Sequence, residues 1–376
     1  MKGKKISSTV ITTVRHNIGD DFVREGILEL IDTAFAESKN RADVSFELIH
    51  KHSPITNVYG FERIRSLRLS RIIDPIARTL KLPSRIDTAD MLIQSGAPIY
   101  WCHPHGSHCA DNEWFVPLIR KRFLKDRRER KFLNLAGGSC QRYHSDGTEL
   151  KQCPKCSSYI ADFFDSCDLT VLRDELAQKM LAMTGRDAAV LPCTSIFARD
   201  HLKIEPAAGE YIVLNFMENG GHFTFGQTID TEKWRCNFRS LAATVSKMGK
   251  VVVACHNERE LSLAKEVTPD VEAFLVPDDH VEFMRFYSRA RFGIVNRVHS
   301  AFMLSSFGKP AAVIGADSRA LMIGNMRLPS YFVEEVEDID QIVGQVAEQE
   351  HSYREVSEEI RRSARRDYID LISKVI

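Results

Sequence analysis

Between Ala290 and Asp317 the chain reads ARFGIVNRVHSAFMLSSFGKPAAVIGAD. Phe292-Gly293-Ile294-Val295 is an uninterrupted apolar run, the pattern of a strand buried on both faces. It stops at Asn296-Arg297-Val298-His299. Ala301, Phe302, Leu304 and Ser305 then form a helix face that ends at Gly308. Pro310 leads into a second buried run, Ala311-Ala312-Val313-Ile314. Strand, helix and strand in this order make a parallel unit, and parallel sheets hold ligands beyond the carboxyl ends of their strands. Arg297 and His299 fall at that end, where the helix begins. A cation beside unpaired helix N–H groups suits a phosphate or carboxylate. A histidine there can move protons near neutral pH.

The same alternation runs through the whole chain. Residues 10–14 read as the first strand, followed by Asn17-Ile18-Gly19-Asp20-Asp21 and a helix carrying Phe22, Ile27, Leu28, Ile31 and Phe35. Gly19 permits a tight turn. Asp20 and Asp21 suit a helix's first turn, or the orientation of an acceptor hydroxyl. No G-x-G-x-x-G is present, so the dinucleotide fingerprint is absent. Residues 44–50, 98–101, 132–136, 168–171 and 188–191 read as further strands. Gly137-Gly138 reads as a strand-end turn open to close ligand approach. Arg173 stands at a strand-to-helix junction, as a second anion clamp or as the partner of Asp174 or Glu175. After a polar break at 200–209 the pattern restarts with strands at 211–216, 251–255 and 273–276. Alternation in both halves predicts an α/β protein with two Rossmann-like domains facing across a cleft, a GT-B-like arrangement. The domains are 1–205, with a cysteine-rich insert at 140–167, and 206–376, which includes the C-terminal helices.

The bulk numbers narrow the class. A length of 376 residues suits two domains. Lys+Arg and Asp+Glu are equal at 51 each, so no global basic field gathers nucleic acid. No apolar stretch approaches the roughly 20 residues that span a bilayer, and the chain reads as cytoplasmic. Basic runs at 63–71 and 125–131 read as solvated faces.

Nine cysteines in a reducing compartment direct attention to metals before disulfides. Cys153-Pro154-Lys155-Cys156 resembles a zinc-knuckle turn, and Cys140 and Cys167 are the cysteines on either side that would complete four ligands around a structural zinc. Free thiols and an iron–sulfur cluster are the other readings. The loop at 102–109 holds five Cys and His residues in a spacing that matches no defined ligand set, and reads as cleft lining.

Taken together, N-I-G-D at 17–20, V-L-R-D-E-L at 171–176, V-N-R-V-H-S-A-F at 295–302, F-G-K-P-A at 307–311 and Asp317 resemble the polysaccharide pyruvyl transferase family, in order and over roughly residues 10–330. The resemblance implies a GT-B-like fold. It also implies transfer of a pyruvyl group from phosphoenolpyruvate onto two hydroxyls of a saccharide as a cyclic ketal, with no cofactor required. His299 and Asp20 would be the catalytic pair, and Asp20 would lie on the acceptor side. Arg173, Arg297, Asn17, Gly19 and Ser300 would hold the donor. The saccharide acceptor could be carried on a lipid, and self-association into a homo-oligomer is compatible with the sequence. The segment 137–167, the loop at 102–109 and Ser318-Arg319 depart from the family pattern. A nucleotide-sugar glycosyltransferase on the same scaffold is the second reading. A non-catalytic, zinc-stapled binding protein is the third.

Overall fold

Lys4–Thr12 (β1) runs parallel to Ala42–His50 (β2) along its full length, and to Met91–Ser95 (β3) on its other side. The computed structural model describes residues 4–14, 17–38, 41–53, 57–60, 72–73, 75–77, 79–80, 82–102, 112, 114–127 and 129–376. The basic run at 63–71 and residues 103–109 of the loop beyond Cys102 lie outside these residues. Pro98–Tyr100 (β4), Lys131–Ser139 (β5), Leu169–Leu172 (β6) and Ala189–Val190 (β7) complete a seven-stranded parallel sheet of order β2-β1-β3-β5-β6-β7, with β4 paired to the end of β5. The second sheet has six parallel strands in the order β10-β9-β8-β11-β12-β13. They are Tyr211–Leu214 (β8), Val251–Ala254 (β9), Glu272–Phe274 (β10), Ala290–Val295 (β11), Ala311–Gly315 (β12) and Ser330–Phe332 (β13). The central strands are buried from end to end, as strands covered on both faces must be.

Each sheet reverses its winding once. The reversal lies between β1 and β3 in the first sheet and between β8 and β11 in the second. A crevice opens beyond the strand ends at such a point. Two helices start there. Ile18–Glu37 (α1) follows β1, and its capping residue Asn17 accepts from the Gly19 N–H at 3.1 Å. The helix at Val298–Ser306, numbered α7 below, follows β11.

The longer of the remaining α-helices among the described residues cover the sheets. They are Pro154–Ser166 (α2), Glu175–Ala182 (α3), Thr231–Ser246 (α4), Glu258–Val267 (α5), His280–Ser288 (α6), Ile339–Glu348 (α8) and Tyr353–Ser373 (α9). Phe115–Phe123 is a π-type helix. Two differences from the sequence reading matter. Gly137 and Gly138 belong to β5 rather than to a turn, because β5 extends to Ser139 and pairs there with β4. And α9 does not stay with the second sheet. Arg361 donates to both carboxylate oxygens of Asp200 at 2.8 and 2.7 Å, Arg365 to Glu29 at 2.8 Å, and the Tyr368 hydroxyl to the Pro192 carbonyl at 3.0 Å. The last helix therefore crosses back onto the first half. A single apolar core includes Phe22 and Ile27 of α1, Phe302 of α7 and Tyr368 of α9.

Candidate active site

The N-termini of α1 and α7 face one cleft of about 640 Å³ between the two sheets. Thr13, Asn17, Asp20, Lys51 and Arg173 line it from the first sheet, and His256, Arg297, His299, Asp317 and Arg319 from the second. Positions far apart in sequence meet because all follow strand ends.

Asp20 sits in the first turn of α1. It accepts from the Thr13 hydroxyl at 2.8 Å and from Lys51 Nζ at 2.7 Å. Burial alone would raise this carboxyl, but the Lys51 ammonium outweighs it and holds Asp20 ionised well below the usual range. Lys51 lies one residue past β2. The strand-end rule that singles out Arg297 could have found it.

Arg173 lies one residue past β6 and is 2% exposed. Its Nη1 is 3.5 Å from His299 Nε2, while its Nε is buried without a hydrogen-bond partner. No carboxylate among the described residues pairs with it. Asp174, the partner the sequence offers, turns instead to the Ser139 N–H at 2.8 Å and hydroxyl at 2.6 Å, and caps α3 through the Ala177 N–H. Gly138 makes room for the guanidinium, since a Cβ there would stand 2.4 Å from Arg173 Nε. Arg173 is thus a buried cation lining the cleft with no carboxylate paired to it among the described residues, an arrangement that suits an anion.

His299 is the second residue of α7. Burial, then the adjacent Arg173 charge, pushes its pKa well below the ordinary histidine value, against the opposing pull of Asp20. The imidazole is neutral at physiological pH. With a cation at Nε2, the ring's own proton belongs on Nδ1.

Arg297 differs from Arg173. Its Nε and Nη2 both donate to Glu260 Oε1, and its Nη1 lies 2.8 Å from His222 Nε2. Glu260 is 5% exposed and also accepts from the His256 N–H at 3.0 Å. Arg319 is held the same way by both oxygens of Asp317, at 2.8 and 2.6 Å. Both arginines line the cleft with their charge already balanced. Glu260 is a residue that sequence reasoning misses, because it reads as an ordinary first-turn acid of α5.

Four assignments need correction. Ser300 does not line the cleft. One residue of helix turns the side chain about 100°, and Ser300 Oγ lies 2.7 Å from the Tyr287 hydroxyl and 3.3 Å from His256 Nε2, in a buried chain behind α7. Gly19 does not line it either. Its place against His299 explains the glycine, since a Cβ there would stand 2.5 Å from His299 Nδ1. Cys140 and Cys167 do not join Cys153 and Cys156. The 13-residue helix α2, about 20 Å long, separates Cys167 at its end from Cys153 at its start. Cys140 is buried near Arg319 and Arg173, and burial pushes its thiol up to about 12.

No known family model matches the chain, and no curated protein sequence matches it. Solved structures do. S. aureus MnaA, in its UDP co-structure, superposes with a TM-score of 0.53 at 13% identity, over 94% of this chain and 91% of that one. UDP-GlcNAc 2-epimerase from Neisseria meningitidis bound to UDP-GlcNAc gives 0.52 at 14% identity, over 94% of each chain. The E. coli heptosyltransferase WaaC with ADP gives 0.50 at 11% identity, over 92% of this chain and 100% of that one. The fold is therefore α/β with two Rossmann-like domains facing across a cleft, of the GT-B type. None of the three is described as a pyruvyl transferase. Among the described residues no helix is long and apolar enough to cross a membrane.

Proposed function

We propose that this chain is a GT-B-type transferase of glycan biosynthesis that binds a small anionic donor at Arg173 and moves a pyruvyl group from phosphoenolpyruvate onto a saccharide. The observation that carries the reading is the meeting of Arg173 and His299, 126 residues apart in sequence, in the cleft that Asp20 also lines. These are the residues of the Arg-Asp, Arg-x-His and Asn-x-Gly-Asp motifs. Arg173 supplies an unbalanced positive charge, and two helix N-termini add partial positive charge at the same place. A donor carrying both a carboxylate and a phosphate fits that field.

The chemistry follows from the groups present. A proton taken from solvent by the donor's methylene carbon makes it a methyl and leaves positive charge on C2. A sugar hydroxyl attacks C2 and gives up its proton. The C2–O bond to phosphate breaks, inorganic phosphate leaves, and a second hydroxyl closes the ketal with loss of its own proton. Neutral His299 is suited to accept a hydroxyl proton. Asp20, fixed by Lys51 and Thr13, is suited to orient the acceptor. Arg173 balances the charge that collects on the departing phosphate.

A nucleotide-sugar enzyme is the second reading. It is favoured by the neighbours of like fold, two of which are described with UDP or UDP-GlcNAc and one with ADP. Thermal shift separates the two. A ligand at about 100 times its dissociation constant adds about 2.7 kcal/mol to the folded state. Phosphoenolpyruvate is expected to raise the melting temperature, and Arg173→Ala to weaken donor binding by on the order of 10²-fold or more, as loss of one partner of a buried charge pair does. A shift with one nucleotide sugar and none with phosphoenolpyruvate would replace the first reading by the second.

A further inference from the structure

We infer that Cys102, Cys153 and Cys156 form a zinc site that fastens the segment bridging the two domains. The sulfurs of the three residues lie within 4.8 Å of one another. A tetrahedral zinc with bonds of about 2.3 Å sets its thiolates about 3.8 Å apart, so only a small adjustment closes the site. Cys102 is 1% exposed and Cys156 is fully buried. Cys153 is partly exposed, and as thiolates around a cation the three are mutually consistent.

The local structure prepares them. Cys153 is the capping residue of α2, makes no side-chain cap hydrogen bond, and is followed by Pro154 at the first helical position. Cys156 lies in the first turn. Both sulfurs thus sit at the positive end of a 13-residue helix, where a thiolate is favoured. Cys102 arrives from a different element, two residues past the end of β4. The sequence offers Cys140 and Cys167 beside Cys153 and Cys156, whereas the thiol that lies against that pair is Cys102, 51 residues upstream of Cys153. Three thiolates leave one position of a tetrahedral ion for a further ligand. Thiolate ligands favour zinc over magnesium or calcium.

The location gives the site a purpose. The segment between Cys140 and Cys153 leaves β5, touches the second domain and returns to α2. Gln141 ties its side chain to the Cys102 backbone, donating from Nε2 to the carbonyl at 2.9 Å. Its backbone meets the second domain, with the Gln141 N–H 2.9 Å from Ser318 Oγ and the Ser318 N–H 2.9 Å from the Gln141 carbonyl. Ser318 follows Asp317, which lines the cleft. An ion joining Cys102 to Cys153 and Cys156 closes both ends of this segment and holds it against Ser318. None of the three cysteines lines the cleft, so the ion is structural. The inference does not depend on which donor the cleft takes.

The test is metal content of the full-length protein purified under reducing conditions. About one zinc per chain is expected, falling to background in Cys153→Ser and in Cys102→Ser, and staying at about one in Cys140→Ser and Cys167→Ser. Cobalt exchanged into the unmodified protein should give thiolate-to-metal charge-transfer absorption, which needs no variant to fold. Protein that holds no zinc and takes up no cobalt would overturn the site. So would loss of metal in Cys140→Ser or Cys167→Ser equal to that in Cys153→Ser, which would restore the other ligand set.

Discussion

His299 shows how one side chain takes its role from neighbours remote in sequence. The turn of α1 at Gly19 presses on its ring, Arg173 faces its Nε2, and Asp20 lies across the cleft. Its neutral state makes it a base that needs no prior deprotonation. Replacing it with Asn keeps the ring site nearly filled and removes the acceptor. His299→Asn should lower kcat by about 10² to 10⁴-fold and leave the donor's thermal shift largely intact, since Arg173 remains. Steady-state rates beside binding measurements check this, and unchanged turnover would remove the imidazole from the chemistry. At this scale the sequence is legible where a residue's place depends on being at a strand end, as for Arg173, Arg297 and His299, which all line the cleft. It is illegible where the role depends on which way a side chain turns. Ser300 follows His299 yet turns away from the cleft toward Tyr287, and the balance of Arg297 by Glu260 depends on two helices that the sequence cannot place side by side.

Elements are legible from their apolar runs. The strands predicted at 44–50, 98–101, 211–216 and 251–255 fall within two residues of β2, β4, β8 and β9 at each end. What a run cannot show is the neighbour it packs against. The glycines at 137 and 138 look like a turn until β4 is paired beside them, the Asn134 side chain set against Gly137 and Arg173 against Gly138. Helix α1 poses the same problem at Gly26, where a Cβ would stand 1.8 Å from the Thr194 carbonyl oxygen. Backbone there cannot rotate away as a side chain can. Ala in a helix interior gains up to about 1 kcal/mol over Gly, whereas forcing atoms into a packed site costs about 1–3 kcal/mol. The clash should win, and Gly26→Ala should lower the urea midpoint. Gly344, inside α8, meets nothing within 4 Å. There propensity acts alone, and Gly344→Ala should raise stability by roughly 0.5–1 kcal/mol. Two midpoints moving in the same direction would show that the approach of α1 to residue 194 is looser than described.

Across the whole molecule, one apolar core and the returning helix α9 join the halves, so acid stress on the cleft acts on the entire fold. Three histidines there resist protonation, among them His222, which burial and then the Arg297 charge push down to about 3. Burial first, then the Arg173 charge, lowers His299, and burial first, then the Arg297 charge, lowers His256. Below about pH 6.5 the unfolded chain protonates these rings while the folded chain does not. The unfolded state then binds more protons, so stability must fall as pH falls, by about 1.4 kcal/mol per pH unit for each such ring at the limit. Asp20 acts in the same direction at lower pH, because its carboxylate is held ionised in the fold and its contribution is lost as it protonates. Three groups oppose this. The bond to Glu25, against the cost of burial, raises His201, and burial raises Asp21 despite Arg24 and Asp32 despite His201, so each favours the folded state in acid. They are displaced less far than the cleft histidines, which should therefore prevail. Unfolding free energy measured from pH 8 to pH 5 is expected to hold steady above about 7 and to decline below about 6.5, with a shallower decline in His299→Asn. A stability that stays level or rises between pH 7 and pH 5 would mean that the cleft admits a proton, and that His299 works as an acid rather than a base.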